Sequence, residues 1–272
     1  MNANKALWEK GDFTRIADCM RQSGAELVDR IGVNTGETWL DLGCGDGTTA
    51  LPAAQRGANV TGVDIAANLI AAGRRRAESL GLPNIRFEEG DAADLAAIES
   101  DHFDHVVSIF GAMFAPRPED VAREMVRVTR PGGTIVMGNW VPGDSTLVAQ
   151  ILKTSAAYTP PPPEGFVSPM LWGKEDVVRE RFVGAGVSDG DIRCERDTFT
   201  FRLNAPPGAL LDRFLAYYGP TMNALDAAEK DGRGDMLRDE LGRLFDNHNA
   251  SGDGGRTEIS ATFLRVTVRK AG

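Results

Sequence analysis

Two groups of residues in this chain have the types and spacing to do chemistry together. The first is Asp41-Leu42-Gly43-Cys44-Gly45-Asp46-Gly47, an acid followed by glycines at every second position with another acid among them. The second is Asp64, which follows Gly45 by 19 residues. Glycines lack a Cβ, so the backbone can turn sharply and a ligand can come close. A carboxylate about 20 residues past such a turn can accept hydrogen bonds from both hydroxyls of a ribose. Asp64 taken alone also reads as a helix N-cap; the spacing favours the ribose. Asp41 and Asp46 make a poor lining for a pyrophosphate and a good one for an amine or a ribose. The Gly-Lys-Ser/Thr ending of a phosphate loop is absent, and the spacing is Gly-x-Gly-x-Gly, where a dinucleotide fingerprint needs Gly-x-Gly-x-x-Gly.

These residues need elements to hold them. Trp39, Leu40 and Leu42 suit a buried parallel strand that runs into the glycine turn. Thr48 to Arg56 read as a helix with Pro52 near its first turn. A second strand, 58–63, ends at Asp64, and a helix follows over 68–81 with Leu69, Gly73, Ala77 and Leu80 on one side. The third strand, 85–89, ends in Gly90-Asp91-Ala92. Phe103 to Ser108 give a fourth strand, and 108–114 then leave the sheet at the ligand edge. A proline-started helix covers 118–130, Arg130-Pro131-Gly132-Gly133 is a tight turn, and Thr134 to Trp140 are the fifth strand.

The stretch 41–47, and the motif order across 38–140, resemble the class I S-adenosylmethionine (SAM)-dependent methyltransferases, close to the ubiquinone/menaquinone-biosynthesis type. The resemblance implies an α/β fold: a doubly wound, seven-stranded, mostly parallel sheet with an antiparallel last strand. It implies SAM as methyl donor and S-adenosylhomocysteine as product. The cofactor-binding set is then Asp41, Gly43, Cys44, Gly45, Asp64, Ile65, Asp91, Ala92 and Ser108. Within it Asp41 balances the methionine amine, Ile65 lies on the adenine face and Asp91 accepts from the adenine amino group. In such a family the last two strands form an antiparallel hairpin at the sheet edge. Here Cys194–Leu203 and Thr257–Arg269 alternate like strands, separated by about fifty mostly helical residues, with an irregularity expected at Leu264-Arg265.

The remaining segments supply a cover. Residues 5–30 read as helical, bringing Trp8 and Phe13 to the ligand edge. The excursions 142–172, with Pro160 to Pro163, and 206–250 exceed simple connections and read as lid or binding segments. One domain over 1–272 is expected, with its cofactor core at 38–140. Trp8, Phe13, Phe110, Met113, Phe114 and Trp140 are expected to wall an apolar pocket for a small, hydrophobic or aromatic acceptor.

Composition narrows the classes. Thirty basic against 39 acidic residues leave a net charge of -9, which repels polyanions and argues against nucleic-acid binding. Arg74-Arg75-Arg76, the compact basic run, reads as a solvated face. No apolar run approaches the roughly 20 residues of a membrane span. Three separated cysteines suggest a reducing, cytoplasmic setting and no zinc site. No catalytic base stands out: His102 and His105 enter at the wrong edge of the sheet, and His248 lies in a distal polar segment. No metal ligand set is expected. Two alternatives share parts of this pattern: an NAD-dependent oxidoreductase and a catalytically silent SAM-binding protein.

Overall fold

Strand β1 (Thr38–Leu42) lies mid-sheet, with β2 (Asn59–Asp64) on one side and β4 (Phe103–Ile109) on the other, both parallel to it. The computed structural model describes residues 3–272. β3 (Ile85–Glu89), β5 (Thr129–Trp140), β6 (Ile192–Leu203) and β7 (Thr257–Arg269) complete a seven-stranded sheet of order β3-β2-β1-β4-β5-β7-β6. β7 runs antiparallel to both neighbours. Buried strands explain the apolar composition of 39–42 and 106–107, since both faces are covered.

The helices divide between the faces. One apolar cluster joins Trp39, Val60, Phe87, Val107 and Val136 to α3 (Arg21–Ile31), α4 (Ala50–Gln55) and α5 (Ala67–Ser79). The larger cluster takes Leu40, Leu42, Val106, Ile135 and Met137 on the opposite face, with α6 (Pro118–Val128). It continues through α7 (Leu147–Ala156) and α8 (Glu175–Gly184) into α9 (Pro207–Tyr217), α10 (Gly219–Lys230) and α11 (Gly234–His248). The last three fill the chain between β6 and β7.

Several expectations need correction. The helical stretch at 5–30 is three pieces: α1 (Ala3–Glu9), α2 (Thr14–Ala17) and α3. Gly11 breaks the first because a Cβ there would meet the Tyr217 carbonyl oxygen at 2.5 Å, and Asp12 bonds the Thr14 backbone N–H instead. The second break turns the Cys19 carbonyl outward to accept the Arg202 N–H of edge strand β6. The turn at 130–133 is absorbed into β5 as a register shift, Phe103 facing Thr129 and His105 facing Thr134. β7 has no irregularity at Leu264-Arg265; its register with β6 is continuous. The alternation slips because the buried face changes from Ile259, Ala261 and Phe263 to Leu264, Val266 and Val268. Leu80 lies past the end of α5 and is exposed.

The arginine run is only partly a solvated face. Arg74 donates two hydrogen bonds to the Phe87 carbonyl, at 3.0 and 2.6 Å. Arg76 donates to the Asp46 carbonyl at 2.6 Å and pairs with its carboxylate at 3.2 Å. Arg74 and Arg75 remain exposed, and Arg76 is half-buried.

Candidate cofactor and acceptor site

The carboxyl ends of β1, β2, β3 and β4 meet at one edge, fastened by backbone and side-chain hydrogen bonds. Gly43 and Cys44 donate their N–H groups to the Val63 carbonyl, at 2.7 and 3.1 Å. Asp64 accepts the Gly45 N–H on Oδ2 at 2.8 Å and the Ala66 N–H on Oδ1 at 2.9 Å. The Gly90 N–H reaches the Asp64 carbonyl at 2.9 Å. Thus Asp64 ties the glycine loop, the start of α5 and the end of β3 together. The Ile65 N–H also pulls on the carboxylate, so three N–H groups share its two oxygens and part of its acceptor capacity remains. Burial pushes the Asp64 carboxyl above its usual range, against the pull of those N–H groups.

Ser108 fixes the fourth strand. Its Oγ donates to the Leu42 carbonyl at 2.6 Å and accepts the Ala112 N–H at 2.9 Å. The loops after β1 and β4 then touch: a Cβ on Gly111 would lie 2.4 Å from the Gly43 carbonyl oxygen. Only glycine permits this approach. Between them Phe110 adopts φ +61, a left-handed conformation unusual for a bulky residue. It is held by its N–H bond to the Gly138 carbonyl and by stacking on Trp140, with ring centroids 3.6 Å apart.

A cavity opens at this edge. Its lining includes Gly43 to Asp46, Thr48, Thr49, Asp64, Ile65, Asp91 and Ala92. It also includes the apolar Trp8, Phe13, Ala17, Met20, Ile109, Phe110 and Phe199. Gly45, at φ +54, faces open space where any Cβ would intrude. Asp91 accepts the Ala93 N–H on Oδ1, and Arg117 stands 3.5 Å from its Oδ2.

Some expected residues stand behind the wall. Asp41 is buried under the loop, its carboxyl accepting the Ala50 N–H at the start of α4. Its Oδ2 has no partner. Burial, with the Asp64 charge adding, pushes it up to about 7. Such a carboxyl is poised to ionise toward a ligand cation. The hydroxyl of Ser108 is fully engaged as a clamp and does not line the cavity. The Cys44 thiol packs beside Gly62 and Phe87, so Cys44 meets the cavity without presenting sulfur chemistry. Met113 is buried, Phe114 backs Trp8 edge-on at 4.9 Å, and Trp140 backs Phe110.

Sequence reasoning missed Phe199, Met20, Thr48 and Thr49 as lining residues. Thr48 and Thr49 directly follow the glycine motif, and that adjacency was a usable signal. Phe199 is brought in by β6 from far along the chain, which no local pattern reveals. The histidines stay away from the cavity. His105 lies on Trp39, with ring centroids 4.8 Å apart, and His248 bonds the Leu244 and Ser145 carbonyls. Among the described residues no cluster of His, Cys, Asp or Glu has the form of a metal site.

Comparison with known proteins agrees with this architecture. Residues 40–137 match the family described as "Methyltransferase domain". An uncharacterized protein of Mycobacterium tuberculosis is 34% identical over 222 residues, covering 81% of this chain and 78% of that protein. The demethylmenaquinone methyltransferase of Renibacterium salmoninarum is 34% identical over 114 residues, covering 42% of this chain and 46% of the enzyme. The fold also matches phosphoethanolamine N-methyltransferase 2 of Haemonchus contortus, solved with phosphomonomethylethanolamine and S-adenosylhomocysteine. That match has a TM-score of 0.62 at 16% identity, covering 100% of this chain and 61% of the other. The chain belongs to the class I SAM-dependent methyltransferases, whose methyl donor is SAM. Family membership removes the nicotinamide alternative. Among the described residues no helix is long and apolar enough to cross a membrane.

Proposed function

We propose that this protein transfers a methyl group from SAM to a small, hydrophobic or aromatic acceptor bound in the same cavity. The observation that carries the reading is that one cavity is lined both by Asp64 and Asp91 and by Trp8, Phe13, Phe110 and Phe199. Asp64 would take the ribose hydroxyls with its remaining lone pairs, Ile65 and Ala92 would flank the adenine, and Asp91 would accept from its amino group. Asp41, buried under the loop and unpartnered on Oδ2, would balance the charge of the methionine amine from behind the wall.

SAM supplies a methyl group already activated by a sulfonium, so alignment of the acceptor matters more than acid–base help. The chain contributes walls and orientation. Phe110 is locked by Trp140 on its face and by the edges of Phe199 and Phe263, with centroids at 5.1 and 5.3 Å. Rings so held offer an aromatic face to a cation and exclude water. Segments 1–30, 142–172 and 206–250 serve as cap or lid around the 38–140 core within one domain. α1 is strapped by Lys5 to the Ile65 carbonyl at 3.0 Å, and Lys10 just after it by Asp226 at 2.7 Å. A cytoplasmic setting suits the three free cysteines.

The test is Phe13→Ala and Phe199→Ala, with SAM affinity measured beside turnover on a panel of phenols, quinols and aromatic amines. At least one variant should lose turnover and keep most of its SAM affinity. If both turn over normally, the rings are packing and the acceptor lies elsewhere.

A further inference from the structure

The cavity's lining has a one-sided chemistry. Four aromatic rings belong to it, those of Trp8, Phe13, Phe110 and Phe199. Trp8 meets Phe13 edge-on with centroids 5.7 Å apart, and Phe110 meets Phe199 edge-on at 5.1 Å. Aromatic faces attract a cation, most strongly where water is excluded. Among the described lining residues the ionisable side chains are Asp46, Asp64, Asp91 and the Cys44 thiol, with no Lys, Arg or His. Rings and carboxylates together favour a positive ligand and repel an anionic one. Each of these groups is already engaged. Asp46 pairs with Arg21 at 3.1 Å and Arg76 at 3.2 Å. Asp64 and Asp91 accept backbone N–H groups beside their assigned contacts to ribose and adenine. The Cys44 thiol donates to the Gly45 carbonyl, and burial pushes its pKa well up. Tyr218 packs on Trp8 and Phe13, and burial keeps its phenol protonated too.

A phenol, a thiol or a protonated amine must lose a proton before or as it attacks. These walls supply no free base for that proton and disfavour the anion it leaves. A neutral lone pair needs neither. Resting on the reading of this cavity as the methyl-transfer site, we propose that its acceptor atom is a neutral heteroaromatic nitrogen or thioether sulfur, and that its product is a permanent cation. The acceptor's lone pair forms the new bond to the methyl carbon. The bond from that carbon to the donor sulfur breaks with its electron pair left on sulfur, giving S-adenosylhomocysteine. No proton leaves, and the positive charge passes from the donor sulfur to the acceptor atom. The rings therefore border a cation before and after transfer, and the site never has to hold an anion.

Equilibrium dialysis against protein loaded with S-adenosylhomocysteine tests this with three probes of similar size: cationic N-methylisoquinolinium, neutral 2-methylnaphthalene and anionic 2-naphthoate. The cation should bind about 3- to 30-fold more tightly than its neutral isostere, the usual worth of a cation–π contact away from water, and the anion most weakly. A cation that binds no more tightly than 2-methylnaphthalene overturns the proposal. In Phe13→Leu or Phe199→Leu the cation's advantage should shrink while 2-methylnaphthalene keeps most of its affinity. Equal loss of both probes would show that the rings supply only apolar area, and it too overturns the proposal. Turnover is then read with isoquinoline, thioanisole and 2-naphthol in a weakly buffered assay with a pH indicator. Isoquinoline or thioanisole should be methylated without proton release. If 2-naphthol is turned over faster than both, with one proton released per methyl, the proposal fails and the methyl-transfer cavity stands. If none of the three is a substrate, the affinities decide. Failure of all three dialysis probes to bind sinks the cavity reading itself, and the proposal with it.

Discussion

Asp41 and Asp64 show how one residue type serves two ends at one site. Asp64 spends an oxygen on each of two backbone N–H groups, so its loss should harm the loop as well as the ligand. Asp64→Ala should cost roughly 1.5–3 kcal/mol of SAM binding, as for a hydrogen bond to a charged group. It should also lower the stability of the ligand-free protein by about 1–3 kcal/mol, the penalty for unpaired buried donors. Wild-type-like SAM affinity in that variant would contradict the ribose assignment. Asp41 predicts a pH dependence. Burial raises its folded-state pKa from 3.8 to about 7, so between those values the folded protein holds a proton that the unfolded chain has released. Its contribution to stability is full below the unfolded value and is lost as pH rises through about 7, at up to ~1.4 kcal/mol per pH unit. Urea titrations of wild type and Asp41→Asn across that window should show the wild type losing ground to the variant as pH rises. A constant difference would mean that Asp41 does not titrate there. A cationic ligand favours the ionised carboxylate, so SAM affinity should rise with pH over the same range in the wild type and flatten in the variant.

The elements around the loop are set by one close approach. Gly111 passes the Gly43 carbonyl with no room for a Cβ. Gly111→Ala should therefore push the loops after β1 and β4 apart, destabilising the fold by about 1–3 kcal/mol as overpacking does. SAM affinity should fall with it; unchanged melting and binding would show that the two loops move freely. This part of the fold was legible from 38–140. The alternating glycines, the acid at 64, the Gly-Asp after β3 and the proline-started helix each mark a strand end by local chemistry. The rest depends on contacts that a local pattern does not carry. The break at Gly11 is set by the Tyr217 carbonyl, and the turn at Cys19 by the free edge of β6. Arg76 reads as solvated until α5 places it against Asp46. Trp140 and Met113 were expected at the cavity for their position at strand ends, but both sit one layer back, with Phe110 between Trp140 and the open space. Phe199, from the distant β6, supplies the ring at the cavity instead.

At the scale of the whole molecule, the question is whether the helices between β6 and β7 form an independent unit. Their apolar faces argue otherwise. Phe201 of β6 meets Phe214 of α9 at 5.8 Å, and Phe214 meets Phe245 of α11 at 5.4 Å. All three belong to the same continuous cluster as Leu40 and Val106 in the middle of the sheet. α1 adds a second tie, since Trp8 packs on Tyr218 while Lys5 holds the end of β2. A cover that shares the core of the sheet cannot melt alone without exposing that core, so we propose one cooperative unit over the chain. Phe245→Ala creates a cavity far from the glycine loop and should cost about 3–5 kcal/mol. The melting midpoint of the whole protein should drop by roughly 10 °C, given the usual entropy of unfolding at this size. Scanning calorimetry should give one transition in both proteins. Hydrogen exchange should show β1 and β2 losing protection together with α9 and α11. Two resolved transitions, or a variant that frees the helices while β1 and β2 stay fully protected, would mean that the insertion folds as a separate lid.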